Sequence, residues 1–104
     1  MLSIEDLINQ IKLYNPNADF DLIKKSYNYG FNAHKGQYRA SGEIYFTHPV
    51  QVAKIVIDLK LDESTIKTAL LHDTVEDTDS SLNQLETVFG SEVSQLVDGV
   101  TKLT

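Results

Sequence analysis

The sequence predicts an all-α domain of five or six short helices. Apolar residues recur at spacings of three and four over most of the chain, which is typical of amphipathic helices. N-cap residues and turn formers separate these apolar runs. The longest stretch without helical periodicity, residues 36–47, is interpreted as an irregular loop or a short hairpin that turns at Ser41-Gly42.

The first two helices are expected at residues 3–13 and at about 19–34. Ser3 is the predicted N-cap of the first helix, with Asp6 three residues later in a variant of the capping box. Gly30 interrupts the second helix, where it lowers helix propensity. A close contact with another helix would explain a glycine at this position.

The second half of the chain continues the helical pattern. Thr47 is the predicted N-cap of a third helix, which spans about residues 49–59. A fourth helix is expected to start near Asp62. A fifth, short helix ends at Gly90, and Ser91 is the predicted cap of a sixth. The chain shows neither an internal repeat nor a linker, so residues 1–104 are interpreted as one unit.

Composition excludes several classes of function. The 104 residues carry a net charge of −6, which argues against a nucleic-acid-binding surface. The absence of cysteine excludes disulfides and thiolate metal sites. No apolar run approaches the roughly 18 residues that a membrane span requires, and the N-terminus does not look like a signal peptide. The expected location is the cytoplasm.

Residues 70–78 hold the highest density of chemically active side chains. An apolar helical run leads into His72, Asp73, Glu76 and Asp77. At helical spacing the three carboxylates share one face, where like charges repel. A bound cation is the simplest compensation for that repulsion.

His48 is the best candidate for a further ligand, because it begins a predicted helix after a loop that carries an arginine. A lone histidine is more often structural or solvated, and His34 at the end of the second helix is interpreted that way. Together, His48, His72 and Asp73 supply two imidazoles and one carboxylate. That donor set suits Mn²⁺, Fe²⁺ or Zn²⁺ better than Ca²⁺.

Four separated motifs resemble one known family. They read Ala33-His-Lys-Gly-Gln-Tyr-Arg-Ala-Ser-Gly-Glu, Tyr45-Phe-Thr-His-Pro-Val-Gln-Val-Ala, Leu71-His-Asp-Thr-Val-Glu-Asp-Thr and Val97-Asp-Gly-Val-Thr-Lys-Leu. The set is similar to the HD-type hydrolase domain of the RelA/SpoT homologues and covers nearly the whole chain. The resemblance implies an HD-domain helical bundle. It also implies removal of the 3′-pyrophosphate from guanosine tetra- and pentaphosphate, (p)ppGpp.

Carried over by position, the resemblance assigns roles to individual residues. Glu76 and Asp77 match the family's pair that activates or orients the attacking water. Arg39 matches the arginine that packs on the guanine base, and Lys35 and Ser41 belong to the same substrate segment. His48, His72 and Asp73 match the family's metal ligands, and Mn²⁺ is its usual ion, with another divalent metal as the alternative.

The chain also departs from the family pattern. Ala40 stands where many members carry a lysine, which removes one cation for the phosphates. Family members continue past Thr104 with helices that supply a further aspartate ligand, and nothing in this chain matches that stretch. The domain is therefore expected to be C-terminally incomplete. The alternatives are a non-catalytic remnant, a regulatory module, or half of a split hydrolase that a second polypeptide completes. Self-association is a further expectation, because the missing helices would leave apolar surface uncovered.

Overall fold

A computed structural model describes residues 1–103, and these fold into helices joined by short loops. The predicted all-α class is confirmed. The described residues form seven helices against the five or six predicted, with the one-turn helix α5 as the unexpected element. No described helix is long and apolar enough to cross a membrane. The helices are α1 (Ile4–Lys12), α2 (Phe20–Ala33), α3 (Thr47–Asp58), α4 (Glu63–Leu71), α5 (Thr74–Asp77), α6 (Leu82–Phe89) and α7 (Ser91–Leu103).

Side chains cap the starts of several helices, as the sequence predicted for Ser3, whereas the predicted cap Ser91 is the first residue of α7. The Ser3 hydroxyl accepts a hydrogen bond from the Asp6 N–H, and the Asp6 carboxylate accepts one from the Ser3 N–H. Asp62 caps α4 by accepting from the Thr65 N–H at 2.8 Å. Each cap satisfies an N–H group that has no partner inside its helix.

The predicted N-cap of α3 is wrong. Thr47 is the first helical residue, and Phe46 occupies the cap position without a side-chain hydrogen bond. The reason is tertiary: Phe46 is 1% exposed, so the chain must turn into the core at this residue. The N–H groups of Thr47 and His48 then donate to the carbonyls of Ile44 and Tyr45, so a backbone turn replaces the side-chain cap.

Two clusters of buried side chains hold the helices together. The larger one lies between α1, α2, α3 and α4, with Phe46 among its members. The smaller one joins α4 to α6 and α7 through Leu71, Leu85, Phe89 and their neighbours. Consecutive leucines of α4 thus belong to different clusters, since Leu70 lies in the first and Leu71 in the second. The C-terminal end of α4 is therefore fixed on both sides.

Gly30 lies in the close helix contact that the sequence suggested. A Cβ at this position would come within 2.5 Å of Phe46 Cε1 and 2.6 Å of the Leu70 carbonyl oxygen. Only glycine lets α2 approach α4 and Phe46 this closely. The contact brings the end of α2 next to the end of α4.

The loop between α2 and α3 forms a short hairpin, which is one of the two forms expected. Tyr38 and Ile44 make an isolated antiparallel bridge, and the Arg39 N–H donates to the Glu43 carbonyl at 2.8 Å. Gly42 closes the turn with a φ of 92°, a conformation that favours glycine. The hairpin returns the chain to the core at Tyr45 and Phe46.

Candidate metal centre

A break between two helices presents His72 and Asp73. Helix α4 ends at Leu71, His72 occupies its C-cap, and Asp73 occupies the N-cap position of α5. The chain turns here because Thr74 is fully buried and its hydroxyl donates to the Leu71 carbonyl at 2.8 Å. The two side chains are thus held where neither helix covers them completely.

His48, His72 and Asp73 converge. His72 Nε2 lies 3.2 Å from Asp73 Oδ2, and His48 Nε2 lies 3.7 Å from the same oxygen. One donor atom from each of the three residues lies within 4.8 Å of the other two. Ligand atoms that share one ion at about 2.1 Å are separated by about 3–4 Å, so this spacing suits a shared divalent cation.

A hydrogen bond to the backbone orients the His72 ring. His72 Nδ1 lies 2.7 Å from the Ala69 carbonyl oxygen, which can only accept. Nδ1 therefore carries a hydrogen, and in the neutral ring Nε2 is the nitrogen available to a metal ion. This arrangement is common among metal-binding histidines. The chemistry of the donors and their orientation both fit a metal ion such as Mn²⁺, Fe²⁺ or Zn²⁺.

Tyr45 is a site residue to which sequence reasoning assigned no role in the site. Its hydroxyl donates to Asp73 Oδ2 at 2.7 Å. Burial raises the pKa of Tyr45, and the hydrogen bond and negative charge of Asp73 raise it further, with a contribution from Asp77. The phenol thus stays protonated and acts as a donor. The available signal in the sequence was a tyrosine three residues before the candidate ligand His48.

Glu76 and Asp77 lie in α5, directly after Asp73. Both residues are exposed, while the preceding Thr74 is buried. The Asp77 N–H donates to the Asp73 carbonyl at 3.0 Å, so the backbone of α5 is continuous with the candidate ligand. The predicted carboxylate pair is therefore next to the metal centre in the chain and exposed to solvent.

The predicted substrate residues lie on the hairpin and at its start. Arg39 Nη1 donates to Gln51 Oε1 of α3 at 3.3 Å. Ser41 is exposed at the turn, where its hydroxyl donates to Glu43 Oε1 at 3.2 Å. Lys35 is exposed beside the end of α2. None of the three contacts the metal centre through a described hydrogen bond or ion pair.

His34 has a structural position, as its sequence context indicated. It is 3% exposed, and its ring packs 4.9 Å from Tyr45 and 6.4 Å from Phe46, measured between centroids. Its Nδ1 lies 2.9 Å from Gln37 Oε1. Gln37 was not singled out from the sequence, because its partner on the other side, Asp77, lies 40 residues away.

Comparisons with known proteins identify the family of this domain. A family model described as HD domain matches residues 26–104. A GTP pyrophosphokinase of Myxococcus xanthus is 54% identical over 94 residues, covering 90% of this chain and 12% of that protein. The bifunctional (p)ppGpp synthase/hydrolase SpoT of Escherichia coli K12 is 44% identical over 103 residues, covering 99% of this chain and 15% of that protein.

The chain belongs to the HD domain family. Its relatives place it among the HD domains of the RelA/SpoT homologues, as the sequence motifs implied. Another relative at 44% identity, from Escherichia coli O157:H7, is named guanosine-3′,5′-bis(diphosphate) 3′-pyrophosphohydrolase. The chain spans only 12–15% of the length of these relatives.

Proposed function

We propose that this domain hydrolyses the 3′-pyrophosphate of (p)ppGpp in a reaction that depends on a divalent metal ion. The observation that carries the proposal is that His48, His72 and Asp73 each place one potential ligand atom within 4.8 Å of the other two. The names of two relatives, a synthase/hydrolase and a pyrophosphohydrolase, support the substrate. The three side chains would hold the ion, and Mn²⁺ is the ion we propose.

The residues around the metal centre have separate tasks in this proposal. A divalent cation supplies Lewis acidity, which neutralises phosphate charge and makes water more acidic. Glu76 accepts the proton of the attacking water, and Asp77 orients that water. Tyr45 holds the Asp73 carboxylate through its hydroxyl.

The hairpin is proposed to bind the nucleotide. Arg39 packs on the guanine base, and its hydrogen bond to Gln51 supports its orientation. Lys35 and Ser41 lie in the same segment and are proposed to contact the phosphates. The negative net charge of the chain makes such local cations important, because the overall field repels the nucleotide.

An assay of pyrophosphate release from ppGpp in the presence of Mn²⁺ tests this function. We expect turnover by the wild-type domain and none by His72→Ala. Glu76→Gln should lower kcat by about 10²- to 10⁴-fold, which is the usual contribution of a general base. Glu92→Gln, a matched change at an exposed glutamate of α7, should leave turnover unchanged.

Wild-type protein that binds Mn²⁺ without releasing pyrophosphate would contradict the catalytic proposal. That result would favour the alternative of a non-catalytic module or one half of a split site. Self-association, a second polypeptide and a cytoplasmic location stay predictions. Sedimentation velocity at several protein concentrations, with the nucleotide and metal present or absent, tests the first of these.

A further inference from the structure

Gln37 connects three segments that surround the metal centre. Its N–H donates to the His34 carbonyl at 3.1 Å, and its own carbonyl accepts from the Tyr45 N–H at 2.9 Å. Its side-chain Nε2 donates to the main-chain carbonyl of Asp77 at 2.6 Å, and its Oε1 lies 2.9 Å from His34 Nδ1. One residue thus ties the end of α2, the return of the hairpin and the end of α5.

The chemistry of the partners fixes the direction of both side-chain hydrogen bonds. The Asp77 carbonyl can only accept, so it requires the NH₂ group of the Gln37 amide. The amide oxygen must then face His34, and His34 Nδ1 must donate to it. Among the described residues, His34 Nε2 is buried without a partner, and a hydrogen on that nitrogen would be buried without an acceptor. The network therefore has one consistent arrangement.

The His34 end of this network is rigid. His34 is almost fully buried, with a relative exposure of 3%. It packs against the rings of Tyr45 and Phe46, and Phe46 belongs to the larger core cluster. Gln37 is thus anchored to the core on one side and to α5 on the other.

Helix α5 needs such an anchor. It has four residues, and a helix of one turn has little stability of its own. Burial of Thr74 fixes the start of the helix. At the other end, the carbonyl of Asp77 receives no hydrogen bond from an N–H of the same helix. Gln37 supplies a donor to that carbonyl. Gln37 thus holds the end of the helix that carries Glu76 and Asp77.

We propose that Gln37 is a positioning residue for the hydrolytic reaction. It holds α5 at the distance from His48, His72 and Asp73 at which the carboxylates of Glu76 and Asp77 can act on the attacking water. It does so through Asp77 and without contributing a ligand to the metal. The kinetic part of this inference rests on the proposed function, whereas the structural part does not.

The kinetic test compares Gln37→Met with Gln95→Met. Methionine keeps the length of the side chain and removes its donor, and Gln95 is an exposed glutamine of α7 outside the network. We expect Gln37→Met to lower kcat by about 10- to 100-fold, the cost of a misplaced reacting group. KM for ppGpp and the Kd for Mn²⁺ should stay within about twofold, because ground-state binding is kept. Gln95→Met should change none of these quantities.

Amide hydrogen exchange provides the second readout and needs no activity. The N–H groups of Asp77 and Thr78, which donate to the carbonyls of Asp73 and Thr74, should exchange faster in Gln37→Met, while those of α1 keep their rates. Gln37→Asn, which keeps the amide but is one methylene shorter, should give the same pattern.

The two readouts separate the possible failures. An inactive wild-type domain would remove the proposed function, and the exchange rates in α5 would then decide the positioning role alone. Unchanged exchange in α5 would overturn the inference. So would a loss of Mn²⁺ affinity equal to the loss of kcat, because Gln37 would then act on the metal ligands and not on α5.

Discussion

At the candidate metal centre, two of the three candidate ligands are each oriented by an uncharged group. The Ala69 carbonyl sets the ring of His72, and the Tyr45 hydroxyl sets the carboxylate of Asp73. Such outer partners fix the direction of a ligand before the ion binds, which reduces the cost of binding. The candidate ligands and the groups that orient them are therefore expected to contribute together to metal binding.

Removal of the Tyr45 hydroxyl should weaken metal binding. Tyr45→Phe keeps the ring against His34 and loses the hydrogen bond to Asp73, so we expect a loss of about 10- to 100-fold in Mn²⁺ affinity or activity. Isothermal titration calorimetry measures the affinity. Tyr38→Phe, at a tyrosine of the same loop that is 65% exposed, is the matched control and should bind Mn²⁺ like the wild type. Equal affinities in both variants would contradict the role of Tyr45.

Residue types and spacing were sufficient to select His48, His72 and Asp73 from the sequence. Two imidazoles and a carboxylate are a recognisable donor set, and two of them are adjacent in the chain. Tyr45 and Gln37 could not be selected in this way, because their partners lie 28 and 40 residues away. Their roles follow only from how α2, α3 and α5 pack.

At the scale of helices, the close approach of α2 to α4 depends on one missing side chain. Gly30→Ala would place a Cβ against the Phe46 ring and the Leu70 carbonyl, so we expect a loss of about 1–3 kcal/mol in the free energy of unfolding. Gly99→Ala on α7 meets nothing within 4 Å and should gain up to about 1 kcal/mol from helix propensity. Urea denaturation measures both values. A Gly30→Ala variant as stable as the wild type would contradict the packing described here.

The cap of α4 should make part of the stability depend on pH. Hydrogen bonds from the Thr65 side chain and backbone lower the pKa of Asp62 below its ordinary value of 3.8. The stabilisation by the carboxylate is thus fully present above the unfolded pKa, and it is lost as the pH falls through the folded pKa. Asp62→Ala should therefore cost about 1 kcal/mol at neutral pH and less as the pH falls below about 4.

Urea denaturation of wild type and Asp62→Ala at about pH 7 and about pH 3 checks this dependence. Asp62→Asn is the informative control, since asparagine also caps helices but does not ionise. A cost of Asp62→Ala that is the same at both pH values would show that the carboxylate charge contributes nothing to the cap.

Helix caps were predicted well where they depend on residues three positions apart, as with Ser3 and Asp6. The start of α3 and the separate helix α5 were not, because burial of Phe46 and Thr74 decides where the backbone turns. Local patterns thus define most helices of this domain. The helix breaks that form the candidate metal centre come from tertiary packing.

At the scale of the whole molecule, the candidate metal centre lies where the two core clusters meet. Leu70 and Leu71 belong to different clusters, and His72 and Asp73 follow them directly. Destabilising either cluster should therefore disturb the ligands. The family assignment was accessible from the sequence because its motifs are spread over most of the chain, and the match to residues 26–104 includes all three candidate ligands.

The central claim is that His48, His72 and Asp73 bind one divalent ion. Titration of the domain with Mn²⁺, followed by the loss of the free-ion EPR signal, tests it directly. We predict one site per chain in the wild type, its loss in Asp73→Asn, and its retention in Asp98→Asn, a matched change outside the three-residue cluster. Absence of binding by the wild type, or undiminished binding by Asp73→Asn, would contradict the claim.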